Sequence, residues 1–306
     1  MTSRLLASIV VAALSLSAPR AAQQAPNAFR AGVDAVVVPV SVTDGNRPVV
    51  GLTAADFELR DNGVVQEVAS VSVEALSTDV TLVVDASGSV RGRALDQFKA
   101  DVQAIAESLH PNDRVRLLMF ATDVFDASGL QPGGTRLPVE VIDAGGATSL
   151  YNALGTAFML APQSERPHLI FGLTDGRDSM SFLDAPHVVS LARRSSASLH
   201  LAIVGSPEPD SIRTGALSSF GTTPFEGAPN RRLLCEAVAQ TGGAMYERRP
   251  GNPFPALFRQ VLDDFRTTYL LTYTPRGVTR PGPHEILVRT REPRHTIRAR
   301  KGYDGG

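Results

Sequence analysis

The chain has 306 residues, 43% of them hydrophobic, which is enough for one large globular unit or two of modest size. Its 30 basic and 31 acidic residues are intermixed and give a formal net charge of -1. This balance argues against nucleic acid and against an anionic membrane surface as partners, because both select strongly basic surfaces.

The first residues have the layout of a secretory signal peptide. Arg4 precedes an apolar stretch from Leu5 to Leu16, and small residues follow it. We therefore expect a signal peptide over about residues 1–22 and a secreted or periplasmic protein, with an uncleaved anchor as the alternative. No later stretch is apolar over the length that a bilayer requires, so we expect no membrane span in the mature chain. Cys235 is the single cysteine, which excludes an internal disulfide and favours a packed thiol.

Residues 30–76 are predicted to form an N-terminal β segment. Valines recur over 36–42, and further short apolar runs are separated by glycine, proline and asparagine. The run Asp61-Asn62-Gly63 between two such stretches is typical of a hairpin turn.

Residues 78–266 are predicted to alternate between strands and helices. Buried strands are expected to end near Asp85, Phe120, Thr174 and Val204, and helices with three-four apolar spacing follow them. A Gly/Ser/Pro-rich loop is expected over residues 206–230. This alternation predicts an α/β fold with a doubly wound, mainly parallel sheet and helices on both faces.

Residues 268–303 return to a strand pattern, with a Pro/Gly-rich turn from Pro275 to Pro283. We expect Glu285 to Arg291 to pair with His295 to Arg300. The two strand-rich ends are expected to form one small β-sandwich, with the α/β domain inserted between them.

Oxygen-bearing side chains follow two of the predicted buried strands. The apolar run before Asp85 is followed by Ser87 and Ser89, and Asp175 comes directly after the strand from His168 to Thr174. Thr148 lies in a glycine-rich loop at a predicted helix start. Since the carboxyl ends of parallel strands meet at one edge of a sheet, these five side chains are candidates for a common site. Carboxylates and hydroxyls favour Mg²⁺, Mn²⁺ or Ca²⁺ over Zn²⁺.

These motifs give residues 78–266 a resemblance to the von Willebrand factor A domain with its metal-ion-dependent adhesion site. The matching motifs are Asp85-x-Ser87-x-Ser89, the loop from Gly146 to Tyr151, and Leu173-Thr174-Asp175-Gly176. The resemblance implies that Ser87, Ser89 and Thr148 bind a divalent cation directly or through water, with Asp85 and Asp175 in direct or outer contact. It implies Mg²⁺ ahead of Mn²⁺ or Ca²⁺, and a partner protein that offers Asp or Glu to the metal. Asn152 stands where many members of the family carry aspartate.

The whole chain is also similar to a bacterial group of secreted proteins related to von Willebrand factor A. That similarity rests on five stretches outside the motifs: 40–44, 51–57, 61–63, 273–275 and 300–303. It implies a fold but no biochemical activity.

The sequence leaves three functional hypotheses open. The first is an exported, metal-dependent protein-binding module. The second is a cell-envelope structural or assembly protein that uses the sandwich edges or the 206–230 loop, with the metal only structural. The third is a hydrolase, which the sequence disfavours because it has no Gly-x-Ser-x-Gly elbow and no identifiable histidine partner for Ser87. We therefore expect that the protein is not an enzyme.

Other polar residues have simpler interpretations. Asp178 is expected to cap a helix, with a rim carboxylate that tunes the metal as the alternative. Asp123 and Asp126 are expected to serve turns and edge strands, with another cation site as the alternative. His187 and His200 lack the partner spacing of a zinc site.

Overall fold

A computed structural model describes residues 35–45, 47–73, 77–88, 92–161, 166–203, 229–247, 253–279 and 281–305. All of them belong to one compact unit, Asp34–Gly306. The expected signal peptide, Ser89 and residues 206–228 of the expected loop lie outside the described residues.

The chain alternates between strands and helices in its central part and is purely β at both ends. The strands are β1 (Val36–Asp44), β2 (Arg47–Pro48), β3 (Phe57–Asp61), β4 (Val64–Gln66), β5 (Val68–Ser72), β6 (Asp79–Asp85), β7 (Arg114–Phe120), β8 (Val124–Asp126), β9 (Gln131–Pro132), β10 (His168–Thr174), β11 (Ser198–Ile203), β12 (Met245–Glu247), β13 (Tyr269–Tyr273), β14 (Gly282–Thr290), β15 (His295–Ala299) and β16 (Gly302–Gly305). The helices are α1 (Arg93–Ser108), α2 (Leu150–Leu160), α3 (Ala185–Arg194), α4 (Pro229–Gln240) and α5 (Phe254–Arg266).

The central sheet has the strand order β12-β11-β10-β6-β7-β8, with β9 beside β7. Strands β12, β11, β10, β6 and β7 are parallel, and β8 and β9 are antiparallel to β7. Helices α1 and α5 pack on one face of the sheet, and α2, α3 and α4 pack on the other. The expected doubly wound α/β fold is confirmed.

Both ends of the chain build two further antiparallel sheets. One has the order β15-β1-β13-β5, with β2 beside β1, and the other has the order β16-β14-β3-β4. Inward-facing side chains of both sheets share one apolar core, which includes Val40, Leu59, Tyr269 and Val288. The expected β-sandwich of N- and C-terminal strands is therefore present, with the α/β part between them in the chain.

One expected strand pairing is wrong. Strand β14 pairs with β3 and β16, whereas β15 pairs with β1 in the other sheet. The chain crosses from one sheet to the other at the turn after Thr290. Alternate residues of β14 are buried, and this pattern identifies an inward face without indicating which neighbouring strand supplies the hydrogen bonds.

The Asp61-Asn62-Gly63 turn is confirmed, with positive φ angles of 47° at Asn62 and 80° at Gly63. Asp61 has a further role, because its side chain is fully buried. Its carboxylate accepts hydrogen bonds from the hydroxyls of Tyr273 (2.8 Å) and Tyr303 (3.0 Å) and lies 2.7 Å from Nδ1 of His284. These contacts tie the hairpin to strands from the far end of the chain.

No helix within the described ranges is both long enough and apolar enough to cross a bilayer. Cys235, in α4, is half-buried beside Met245, with 3.3 Å between the two sulfur atoms. It packs against the apolar core between this helix and the sheet.

Candidate metal site

Strands β6 and β10 bring the first and third motifs together. All seven residues of each strand are buried, as a strand covered by helices on both faces requires. The strands are parallel neighbours in a register that pairs Val84 with Leu173. Asp85 and Thr174 therefore lie side by side at the carboxyl edge of the sheet, and Asp175 follows directly.

The Asp85 carboxylate is fully buried and both of its oxygens accept hydrogen bonds. Oδ1 accepts one from the backbone amide of Ser87 at 2.9 Å, and Oδ2 accepts one from the hydroxyl of Thr174 at 2.8 Å. Burial raises the pKa of Asp85 and the nearby Asp175 charge adds to the increase, whereas hydrogen bonds from Ser87 and Thr174 oppose it. A bound cation would favour the ionised form of this carboxylate.

The loop after β6 and the loop before α2 are the first and second loops of the site, and backbone hydrogen bonds join them. The amide of Gly88 donates to the carbonyl of Gly146 at 3.1 Å, and the amide of Gly145 donates to the carbonyl of Ala86 at 2.9 Å. Gly146 has a φ of +75°, and a Cβ there would lie 2.3 Å from Oγ1 of Thr122. Only glycine fits this close approach without strain.

The loop after β10 is the third loop of the site, and its residues form hydrogen bonds with the backbone of Thr148. Its amide donates to Oγ of Ser179 at 3.0 Å, and its carbonyl accepts from the amides of Ser179 (2.8 Å) and Met180 (3.1 Å). The side-chain hydroxyl makes no hydrogen bond with the residues that the structure describes, although Thr148 is only 8% exposed. The hydroxyl oxygen keeps some accessible surface, so it is available to a ligand or to water at this edge.

Asp175 is nearly buried at the same edge, with 12% of its side chain exposed. Its Oδ1 accepts a hydrogen bond from the amide of Arg177 at 3.0 Å. Asp178 acts as a helix cap, as expected, but the helix is α2: its Oδ1 accepts from the amide of Tyr151 at 3.1 Å. This contact fixes the third loop against the start of the helix that follows Thr148.

Asp126, His187 and His200 have ordinary structural surroundings. Asp126 accepts a hydrogen bond from the Gly129 amide at 2.9 Å and lies 3.2 Å from the Arg116 guanidinium. His187 is exposed and lies beside Asp184, whereas His200 is buried in the core.

The donor set fits a hard divalent cation. Asp85, Ser87, Thr148 and Asp175 lie on three hydrogen-bonded loops and offer only oxygen atoms, the ligands that Mg²⁺, Mn²⁺ and Ca²⁺ prefer. Within the described ranges, no cluster of three or more His, Cys, Asp or Glu residues is placed to hold a metal. The fifth predicted ligand, Ser89, lies outside those ranges.

Three further residues shape the site and were not among the sequence candidates. Thr174 donates to Asp85, Ser179 contacts Thr148 at both its amide and its carbonyl, and Oγ1 of Thr122 accepts from the Ala147 amide at 3.1 Å. Thr174 lies inside the third motif, directly before Asp175, so the sequence alone could have identified it as a site residue. Thr122 and Ser179 carry no such signal, since only the folded loops bring them close.

Residues 80–197 match the family model described as VWA-like domain (DUF2201). This segment is a VWA-like domain. The match includes the strands that end at Asp85 and Thr174 and all three loops of the candidate site. It leaves the terminal β-sandwich outside.

The chain is also similar to several solved structures. An aerotolerance-related membrane protein from Bacteroides fragilis is 18% identical over 61% of this chain and 99% of its own, with a TM-score of 0.44. The ArnB paralog VWA2 from Sulfolobus acidocaldarius is 13% identical over 86% and 75%, with a TM-score of 0.46. Proximal thread matrix protein 1 from the mussel byssus, with a zinc-occupied MIDAS motif, is 17% identical over 65% and 48%, with a TM-score of 0.45. Similarity of this extent assigns no activity to the chain. No curated protein matches it.

Proposed function

We propose that the chain is an exported protein-binding module and not an enzyme. In this proposal Asp85, Ser87, Ser89, Thr148 and Asp175 hold a divalent cation, with Mg²⁺ ahead of Mn²⁺ or Ca²⁺. An Asp or Glu side chain of a partner protein completes the coordination of that cation.

The connection of three loops at one sheet edge carries this proposal. The loop after β6, the loop before α2 and the loop after β10 are linked by backbone and side-chain hydrogen bonds, which supports a common site for the oxygen ligands that they carry. The Thr148 hydroxyl, without a hydrogen bond to any described residue, is the donor left for a ligand. Two carboxylates and three hydroxyls leave at least one octahedral position for the oxygen of a partner.

The partner's acidic residue is expected to have apolar neighbours. Met180, whose amide contacts the Thr148 carbonyl, is 56% exposed, and Phe182 in the same loop is 99% exposed. Large exposed apolar side chains around a polar centre are typical of a protein interface.

The test combines metal titration with partner capture. Calorimetric titration with Mg²⁺, Mn²⁺ and Ca²⁺ should detect binding to the wild type and about a tenfold or greater loss of affinity in Thr148→Ala and Asp175→Ala. Capture from an envelope extract should be abolished by chelator and by Ser87→Ala. Thr296→Ala, an exposed threonine on β15, is the matched control and should behave as wild type. Partner binding that persists in excess chelator would contradict the metal-bridge mechanism.

A second candidate, an envelope assembly protein, is favoured by the edge of the smaller sandwich sheet. Strand β4 is an edge strand, and its side chains Val64 and Val65 are 38% and 59% exposed. Exposed apolar edge strands are templates for pairing with another chain. If Val65→Lys abolishes capture while chelator does not, this candidate replaces the first. A substrate screen with turnover that depends on Ser87 would instead favour the hydrolase hypothesis.

A further inference from the structure

A cavity of about 370 Å³ lies between the central α/β part of the chain and the β-sandwich. Its walls include His168, Ser198 and His200 at the amino ends of β10 and β11, and Pro39, Leu270 and Arg300 from the sandwich strands. Strand β10 runs from this cavity to the metal-site edge, so the two sites are about 20 Å apart. The cavity is therefore separate from the candidate metal site.

Arg300 is a half-buried cation without a carboxylate partner among the described residues. Its Nε donates to the Gly302 carbonyl at 2.8 Å, and its Nη2 donates to the carbonyls of Arg193 (2.8 Å) and Ser195 (3.4 Å). Within the described ranges no carboxylate pairs with it, and its Nη1 makes no hydrogen bond. Burial lowers the pKa of Arg300, which reflects the cost of keeping this charge among neutral acceptors.

The other two arginines of the cavity have carboxylate partners. Arg298 is neutralised by Asp264, with 3.0 Å between the charged groups. Arg166 lies 3.0 Å from Asp79, but that carboxylate also pairs with Arg114. Within the described ranges, Arg300 is therefore the cavity arginine without a carboxylate partner. An anion in the cavity would be attracted by its charge.

His168 lines the cavity with an uncharged ring. Its Nε2 lies 2.8 Å from the Thr81 hydroxyl, whereas its Nδ1 is buried and makes no hydrogen bond with the described residues. Burial lowers the pKa of His168 to about 4, so the ring is neutral at physiological pH. Nδ1 has almost no accessible surface, so His168 contributes a neutral ring to the cavity wall and no hydrogen bond to a bound molecule.

The remaining walls are largely apolar and come from both parts of the chain. Val37 and Leu270 line the sandwich side, and Pro167 and Phe265 line the α/β side. A volume near the lower end of the range for ligand pockets, apolar walls and a few convergent polar groups are the usual features of a small-molecule site between domains.

We propose that this cavity binds a small organic acid, with its carboxylate on Arg300 and its apolar body between Leu270 and Pro167. The fork of a guanidinium group matches a carboxylate, and the apolar walls select a ligand with a hydrophobic body over a bare inorganic anion.

Ligand-observed NMR titration of the full chain in excess chelator tests this proposal without involving the metal site. The probe is phenylacetate, and the comparison compounds are neutral 2-phenylethanol and inorganic phosphate. Phenylacetate is expected to bind at least about tenfold more tightly than either, since each comparison compound lacks one of the two recognised features.

Two variants test whether phenylacetate binds in the cavity. Arg300→Gln should weaken phenylacetate binding about tenfold, and Arg60→Gln, an exposed arginine outside the cavity, should not change it. Because Arg300 also bonds three backbone carbonyls, its replacement risks the fold, so Val37→Phe provides an independent test by narrowing the cavity. Val65→Phe, at another exposed strand valine, is its control.

Equal binding of phenylacetate and 2-phenylethanol would overturn the assignment of an anion, and equal binding of phosphate would overturn that of an organic acid. Unchanged phenylacetate binding in a folded Val37→Phe variant would overturn the location.

Discussion

At the scale of single residues, Gly146 holds the second loop of the site in a conformation that other residues strain to adopt. Its φ is +75°, and its backbone approaches Thr122 so closely that a Cβ would lie 2.3 Å from Oγ1. The same hydroxyl accepts the Ala147 amide, one residue before Thr148. The backbone conformation of Gly146 therefore affects the position of Thr148, a predicted metal ligand.

Gly146→Ala is expected to lower the free energy of unfolding by about 1–2 kcal/mol and to weaken cation binding, because the loop must move away from Thr122. Denaturant unfolding and calorimetric cation titration measure the two effects. The neighbouring Gly145→Ala is the control, since Gly145 has no positive φ and a Cβ there meets nothing within 4 Å. Equal effects of the two substitutions would show that loop geometry at Gly146 is unimportant.

The candidate ligands could be chosen from the sequence because each lies within a short motif at a strand end or helix start. Asp85 and Asp175 follow apolar runs, and Thr148 follows two glycines. Their supports could not be chosen in the same way. Thr122 and Ser179 contact the Thr148 loop from 25 and 31 residues away along the chain, and this proximity exists only after the loops pack.

At the scale of secondary-structure elements, the sequence predicted which segments are strands better than how they pair. Strand β10 has the predicted bounds, because an uninterrupted apolar run has few other interpretations. The pairing expected between β14 and β15 was wrong, since adjacent strands joined by a short turn can belong to opposite sheets of a sandwich. The contacts of Asp61 with Tyr273, His284 and Tyr303 likewise depend on pairing across more than two hundred residues.

The loop after β10 is expected to contribute to partner recognition through Phe182, which is 99% exposed. Phe182→Ser should weaken partner binding by about tenfold or more, as the loss of an aromatic interface anchor does, while cation affinity and stability stay at the wild-type level. Capture assays and calorimetric titration separate these outcomes.

Met159→Ser is the matched control, because Met159 is 76% exposed but lies near the far end of α2, about 14 Å from the helix start beside Thr148. A Phe182→Ser variant that retains full partner binding would place the interface elsewhere.

At the scale of the whole molecule, ionic contacts link the two parts of the chain. Arg298 of the sandwich pairs with Asp264 of α5, and Arg300 donates to carbonyls at the end of α3. The buried imidazoles His168 and His200 lie in the same region. Burial lowers the pKa of His168 to about 4 and that of His200 to about 3. Both rings are therefore neutral in the folded protein at neutral pH.

These histidines should make the protein sensitive to acid. An exposed histidine in the unfolded chain has a pKa of about 6.5, so between about pH 6.5 and 4 the unfolded chain binds more protons than the folded one. The free energy of unfolding must then fall as the pH falls through this range. For His168 alone the loss is about 3 kcal/mol, at 1.36 kcal/mol for each unit of pKa shift.

Chemical denaturation of the wild type and of His168→Gln across this pH range isolates that contribution, since buried carboxylates such as Asp85 titrate in both proteins and cancel in the difference. The variant should lose markedly less stability on acidification than the wild type, because glutamine can still bond Thr81 but cannot take up a proton. His187→Gln, whose ring is 69% exposed, should follow the wild-type curve. Parallel curves for wild type and His168→Gln would mean that His168 is already solvated in the folded protein, and the cavity beside it would then be open to bulk water.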